Sequence, residues 1–243
     1  MTKILLVWTT DLNSTRRMAE AVERGVRSVD GAECRNVALE TGHELTRDDV
    51  RGVDGLILGT PVRHRNMHHR MKLFVEDVLE AAWLDDRMVG MVGATFSVGG
   101  GHGDMGAGAE MAQLGMLAAM AANGMILVTF PKCTPGGDHA CLHWGAAGRS
   151  GGPKMEPYWP SQAMHEAGFH HGANVARVAG ALAPHRDGLH ARGNVSPTPE
   201  LQEAFSQPPP EGLPDPSDNP AHRTEPPAGF VSGRPDPENA DDD

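Results

Sequence analysis

The sequence predicts an α/β domain over residues 1–183, a doubly wound five-stranded parallel sheet with helices on both faces, followed by a tail of different character. Two observations predict it. Five short, continuous apolar runs alternate with stretches of helical periodicity, the pattern of strands buried on both faces of a parallel sheet. From Pro184 to Asp243 the composition then changes: 13 of the 19 prolines lie here, with 12 acidic residues against four arginines and no periodicity.

Taken in order, Lys3–Trp8 (KILLVW) is the first apolar run and reads as the opening strand. Thr15–Val29 sets Met18, Ala21, Val22 and Val26 at helical spacing, with Arg16, Arg17, Glu20 and Glu23 on other faces. That is an amphipathic helix covering the sheet. Glu33–Leu39 reads as strand two, and Val53–Leu58 as strand three, running into Gly59-Thr60-Pro61. A helix follows from about Asn66 to Ala82, and Met88–Phe96 is strand four, ending at Ser97 and the run Gly99-Gly100-Gly101. Glu110–Ala122, rich in Ala, Met and Leu, reads as a helix, closed by Asn123-Gly124, which tolerate a left-handed backbone. Met125–Phe130 (MILVTF) is strand five. Residues 131–160 lack periodicity and hold two cysteines, Trp144, Tyr158 and Trp159; a connection this long is usually functional. Ser161–Leu182 is the closing helix.

The segment 184–243 cannot bury enough apolar surface to offset its ordering entropy, so a disordered or loosely draped tail is expected there. It carries about eight of the eleven net negative charges, which leaves the folded part mildly acidic and argues against nucleic acid as a partner. No run reaches the roughly 18 apolar residues of a membrane span, and no basic region precedes a signal-type apolar run at the N-terminus, so a cytoplasmic protein is expected. Cys34, Cys133 and Cys141 are odd in number and irregular in spacing, which favours reduced thiols over a disulfide framework.

Ligands on such a sheet sit beyond the carboxyl ends of the strands, where the loops 9–15, 60–66 and 97–104 lie. In Thr9-Thr10-Asp11-Leu12-Asn13-Ser14-Thr15, four of seven residues carry hydroxyls. A phosphate monoester dianion needs short donors and a favourable helix dipole, and hydroxyls plus the amides of a helix start supply both. The GK[ST] ending of a P-loop and the GxGxxG of dinucleotide sites are both absent. The same residues also suit an N-cap cluster without a ligand.

The second loop, Thr60-Pro61-Val62-Arg63-His64-Arg65-Asn66-Met67, closely resembles the second flavin loop of the WrbA-type NAD(P)H:quinone oxidoreductases, members of the flavodoxin-like superfamily. Their first loop, Ser-x-x-Gly-x-x with Met-Ala in the helix, is similar to Thr10–Thr15 with Met18-Ala19. Trp83, Ser97–Gly101, Gly124-Met125 and Pro160-Ser161-Gln162 follow the family's order, so the resemblance covers residues 1–183 and none of the tail. It implies the flavodoxin-like strand order 2-1-3-4-5 and an FMN-dependent enzyme that passes electrons from NAD(P)H to a quinone-like acceptor in alternating turnover, as a dimer or tetramer. By the same resemblance Thr10, Asp11, Leu12, Asn13, Ser14 and Thr15 hold the FMN phosphate. Pro61, Val62, Arg63 and His64, with Ser97, Val98, Gly99, Gly100 and Gly101, hold the ribityl chain and ring. Asn123 takes the place of a histidine that lies over the flavin pocket, and Trp83 that of a tryptophan able to stack on substrate across a subunit boundary. The candidate catalytic residues are His64, as a proton donor, and Trp83.

Departures from the pattern leave rival readings open. Asn13 replaces a glycine, Leu12 an aromatic residue associated with the nicotinamide site, and His64 a phenylalanine; Gly103–Gly108 (GDMGAG) is inserted before the fourth helix. The rivals are an FMN-binding electron carrier or regulator without nicotinamide activity, and a scaffold without flavin. Cys133, His139, Cys141 and His143 lie within eleven residues, but their spacing is not that of a zinc site, so no metal is expected. Helical placement suggests surface positions for His68-His69 and His170-His171, and core filling for Met105, Met111, Met116, Met120 and Met125.

Overall fold

The computed structural model describes residues 1–39, 45–84, 86–101, 107–140, 142–152, 154, 156 and 159–190, without the side chain of His139. The elements run β1 (Thr2–Trp8), α1 (Ser14–Arg27), β2 (Ala32–Ala38), β3 (Gly55–Pro61), α2 (His69–Phe74), a π-turn (Val75–Leu79) and α3 (Glu80–Trp83). Then follow β4 (Val92–Gly99), α4 (Ala109–Ala122), β5 (Ile126–Leu127), α5 (Gly137–Ala140), β6 (Gly145–Arg149), α6 (Gln162–Leu182) and a 3-10 turn (Ala183–Gly188).

All the strands are parallel, in the order β2-β1-β3-β4-β5, with β6 also paired to β4. Alternate residues of a strand point to opposite faces. Ile4, Leu6, Ile57, Ala94 and Phe96 therefore pack beneath α1 and α6, against Met18, Val22, Val175 and Ala179. Leu5, Val7, Leu56 and Leu58 pack on the other face against Met71, Phe74, Met116 and Met120. Two buried faces explain why the strand sequences are continuously apolar rather than alternating.

The fifth column of the sheet departs from the expected run Met125–Phe130. Only Ile126 and Leu127 pair, beside Val92 and Gly93; the chain then leaves the sheet and returns as β6 beside Thr95–Gly99. Val128, whose N–H still donates to the Gly93 carbonyl (2.8 Å), and Phe130 stay apolar because they are buried in the core under α6. Hydrophobicity alone cannot separate the two roles. Gly145 begins β6 against the Thr95 carbonyl, with which a Cβ would overlap, so this strand is built from small residues and reads as loop.

Residues 184–190, assigned to the tail by composition, continue from α6 on the domain. Arg186 donates to the carbonyls of Val53 and Val89, both at 3.2 Å, and to that of Arg87. The remainder of the tail, residues 191–243, lies outside the described residues, as do Met105, Cys141, Tyr158 and residues 102–106 of the loop before α4. His68 and His171 are buried rather than on the surface, and Met111 is 57% exposed rather than in the core. No helix among the described residues is long and apolar enough to cross a membrane.

Candidate functional site

Four loops meet at the carboxyl edge of the sheet. Thr9 N–H donates to the Gly59 carbonyl (3.1 Å), Val62 N–H to Val98 (2.9 Å) and Ser150 N–H to Gly99 (3.0 Å), so the ends of β1, β3, β4 and β6 are tied in sequence.

The first loop turns into α1 through Asn13, whose φ of 62° and ψ of −3° put it in the left-handed region. Asn tolerates that region better than most residues, which accounts for its standing in a glycine's position. Asn13 makes no side-chain cap, so its amide does not occupy the helix start. Thr9, Thr10, Ser14 and Thr15 are all buried. Ser14 and Thr15 open α1 with their hydroxyls, and the first-turn amides of a helix have no partner within the helix. Hydroxyls and free amides gathered at one helix start favour a ligand that accepts hydrogen bonds from them. Leu12, 55% exposed, stands outside this cradle.

The Asp11 carboxylate ties the first loop to the second. Its carboxylate accepts from the Arg63 guanidinium, lies 3.3 Å from His68 Nε2 and is 3.9 Å from Arg70. Burial raises its pKa, but the Arg63 hydrogen bond and the charges of His68, Arg63 and Arg70 outweigh this and hold it below the ordinary carboxylate value. Burial pushes His68 down to about 4 despite the opposing charge of Asp11, so its imidazole is neutral at neutral pH. Nε2 then faces Asp11 Oδ1, while Nδ1 accepts from Arg70 N–H at 3.2 Å and caps α2. His68 N–H also donates to Thr60 Oγ1 at 2.9 Å, closing the base of the loop.

Between these anchors Arg63 and Asn66 exchange backbone hydrogen bonds of 2.8 and 2.9 Å, making a two-residue hairpin with His64 (φ 44°) and Arg65 (φ 63°) at its tip. Pro61 ends β3 and is half-buried, as is Val62; Arg63 and His64 are exposed at the mouth of the site.

In the third segment, Ser97, Val98 and Gly99 belong to β4. The Ser97 hydroxyl is buried, accepting from Gln113 Nε2 (3.0 Å) and facing the Ala109 carbonyl (3.4 Å), and Val98 is part of the core. The side chains of these two residues therefore support the loop from beneath. The open surface belongs to Gly100, where a Cβ would meet nothing within 4 Å, and to Gly101 at φ 72°. The fourth segment, Ser150–Gly152, was not foreseen; Gly151 lies so close to Gly100 that a Cβ would be 3.0 Å from its carbonyl oxygen. Its only sequence signal is the Gly-rich run 145–152, which turns functional once β6 is recognised as a strand.

Trp83 and Asn123 are not brought to this edge. They end α3 and α4, and the 14 residues of α4 span about 21 Å, placing Asn123 at the opposite end of the sheet from the glycines. There the two residues line a cavity of about 290 Å³ with Val75, Leu79, Ala119 and Ala122. Trp83 is 47% exposed, and Asn123 donates to the Ala119 carbonyl at 2.9 Å while its buried side-chain oxygen has no partner among the described residues. Of the Cys/His group in the long connection, Cys133 is an exposed free thiol; Cys141 and the His139 side chain lie outside the described residues.

An open parallel sheet with hydroxyl- and glycine-lined loops at its carboxyl edge defines an α/β protein of the flavodoxin type. No family model matches the chain. Among curated proteins it is 33% identical over 156 residues to a flavodoxin of Aquifex aeolicus, covering 64% of this chain and 78% of the relative. It is also 33% identical over 196 residues to an NAD(P)H dehydrogenase (quinone) of Aromatoleum aromaticum, covering 68% and 90% respectively. Among solved structures, the flavodoxin, WrbA-like protein of Agrobacterium tumefaciens superposes with a TM-score of 0.57 at 18% identity, over 75% of this chain and 99% of that one. The chain belongs to the WrbA-type family of flavodoxin-like oxidoreductases.

Proposed function

We propose that the protein is an FMN-dependent oxidoreductase that passes electrons from NAD(P)H to a quinone-like acceptor. The observation that carries this reading is the pair of hydroxyl residues, Ser14 and Thr15, buried at the amide-rich start of α1. Those donors fit the phosphate of FMN, and the open backbone at Gly100 and Gly101 fits the edge of a flat polar ring. FMN, when bound, supplies the hydride-accepting and electron-passing centre.

The protein's own task is binding and electrostatic placement. Thr10–Thr15 hold the phosphate, with Asp11 bracing Arg63 so that its guanidinium is fixed beside the pocket. Pro61, Val62 and His64 flank the ribityl chain and ring, and His64, at the hairpin tip, is the proton donor of this reading. Gly99–Gly101 bring main-chain amides up to the ring without intervening side chains.

Trp83 and Asn123 serve the site of a neighbouring copy in a homo-oligomer, dimer or tetramer. Their shared position on an exposed groove, away from their own chain's loops, supports this. Trp83→Ala is expected to shift the sedimentation coefficient toward the monomer, and an unchanged coefficient would count against a Trp83 interface. A cytoplasmic location is part of the same reading, supported by the free thiols Cys34 and Cys133.

The purified protein is expected to be yellow, to bleach with NADH or NADPH, and to recover its colour with benzoquinone. A yellow protein that neither nucleotide bleaches is a carrier or regulator, the reading favoured by the non-aromatic, exposed Leu12. A colourless protein that takes up no added FMN is a scaffold and ends both flavin readings.

A further inference from the structure

We infer that Arg65, with Arg70 behind it, binds a phosphate of the electron donor and selects NADPH over NADH; this rests on the oxidoreductase reading above. The second loop and the start of α2 form a basic strip. Residues 63–72 contain three arginines, one lysine and three histidines and no acid, in a chain of net charge −11.

The cations of that strip are not equivalent. Arg63 is neutralised by Asp11, and Lys72 pairs with Glu76 at 3.0 Å. Arg65 is exposed and has no ion pair among the described residues. Arg70 reaches Asp11 only at 3.9 Å and keeps its side chain 42% exposed.

Backbone geometry sets Arg65 apart further. A two-residue hairpin with positive φ at both positions normally takes Asn-Gly, yet here His64 (φ 44°) and Arg65 (φ 63°) occupy it. Long side chains held in this conformation against their preference occur chiefly where they have a task. The stem of Arg65 is laid over Gly108, the residue preceding α4, where a Cβ would come within 2.8 Å of Arg65 Cγ. Ala107, next to Gly108, lies against Gly99, so that packing sets the base of the Arg65 side chain near the glycine lip of the site. A fixed guanidinium recognises a phosphate dianion through paired hydrogen bonds. Both donors carry the pyrophosphate, but only NADPH carries the 2′-phosphate monoester, the group of higher charge density.

The test uses the full-length, FMN-loaded protein and its Arg65→Gly, Arg65→Lys and Arg70→Gln variants. Dissociation constants for NADPH and NADH come from the rates of flavin bleaching in stopped flow, and adenosine 2′,5′-bisphosphate and 5′-AMP are titrated by calorimetry. The native protein is expected to favour NADPH, and the bisphosphate over 5′-AMP, about tenfold. Arg65→Gly is expected to abolish both preferences, Arg65→Lys to retain part and Arg70→Gln to weaken them. Arg65→Gly also folds, because glycine suits a φ of 63°, and its melting temperature is expected to equal or exceed that of the native protein. Equal affinities in the native protein, or a preference that survives Arg65→Gly, would overturn the inference. Equal weakening of both donors would move the contact to the pyrophosphate and overturn the selection of NADPH. If neither nucleotide bleaches the flavin, the oxidoreductase reading falls, and the calorimetric titrations still decide whether Arg65 selects the 2′-phosphate.

Discussion

His171 sits fully buried in α6, its Nε2–H donating to the Thr95 carbonyl at 3.0 Å while Nδ1 has no partner. Burial drives its pKa down to about 4, well below the ordinary 6.5, with the Thr95 contact opposing only in part. Between those two values the unfolded chain binds a proton that the folded chain refuses. Stability is therefore full above pH 6.5, falls as pH drops toward 4, and loses about 3 kcal/mol to this group over that window. Urea unfolding at pH 7.5 and pH 5 should show the fall, and His171→Leu should flatten part of it; an unchanged slope in the variant would exclude a neutral buried imidazole. His68, also pushed down to about 4, acts in the same direction and window, so some slope is expected to remain, whereas the depressed Asp11 carboxyl adds its loss only below the ordinary carboxylate range. Under the proposed function Ser14 and Thr15 pose the opposite case, polar groups whose partner would be the ligand. Thr15→Val and Ser14→Ala should each weaken FMN binding about tenfold, roughly the net worth of one hydrogen bond to a charged acceptor, with apoprotein stability unchanged or raised. Fluorescence titration of FMN reads the first effect and thermal melting of the apoprotein the second.

Among the elements, α1 and α6 approach so closely that each needs a glycine at the crossing. A Cβ on Gly25 would overlap the Phe169 carbonyl, and one on Gly172 the Val22 carbonyl. Gly25→Ala should cost about 1–3 kcal/mol by forcing the helices apart, outweighing the better helix propensity of alanine. A variant as stable as the native chain in denaturant unfolding would show that the crossing can relax. The same helix displays what sequence can convey. Met18, Ala21, Val22 and Val26 are all buried, as their spacing requires, because one apolar stripe facing a sheet leaves a 3.6-residue period. The loops after β1 and β3 were legible for a related reason, since hydroxyls and Thr-Pro-x-Arg serve no core and stand out against apolar strands. The split fifth column was not, because Phe130 packs where it was expected to pair and the small residues of β6 resemble a loop. Nor could local pattern reveal that Asp11 and His68, 57 positions apart, join the first and second loops; that contact exists only once the sheet sets β1 beside β3.

For the molecule as a whole, one side chain beyond α6, which composition cannot weigh, ties residues 183–188 to the domain. Both core clusters draw only on residues up to Leu182, so apolar burial alone would let the domain stop there. Arg186, beyond that point, donates to the carbonyls of Val53, Arg87 and Val89, which lie in the approaches to β3 and β4. Hydrogen bonds from a charged donor to backbone carbonyls are worth more than neutral ones, and removing the donor leaves carbonyls in a partly buried setting to find water instead. A chain ending at Ser196 should therefore keep the melting temperature and FMN affinity of the full protein, whereas one ending at Leu182 should lose roughly 2 kcal/mol. Arg186→Ala in the full-length chain should reproduce most of that loss. FMN affinity separates this cause from damage to the site, because the carbonyls that Arg186 binds precede β3 and β4, at the other end of these strands from the four loops, and the three shortened or substituted proteins should bind FMN alike while folded. Were the two truncated chains equally stable, the anchor would be energetically idle and the domain would end with α6.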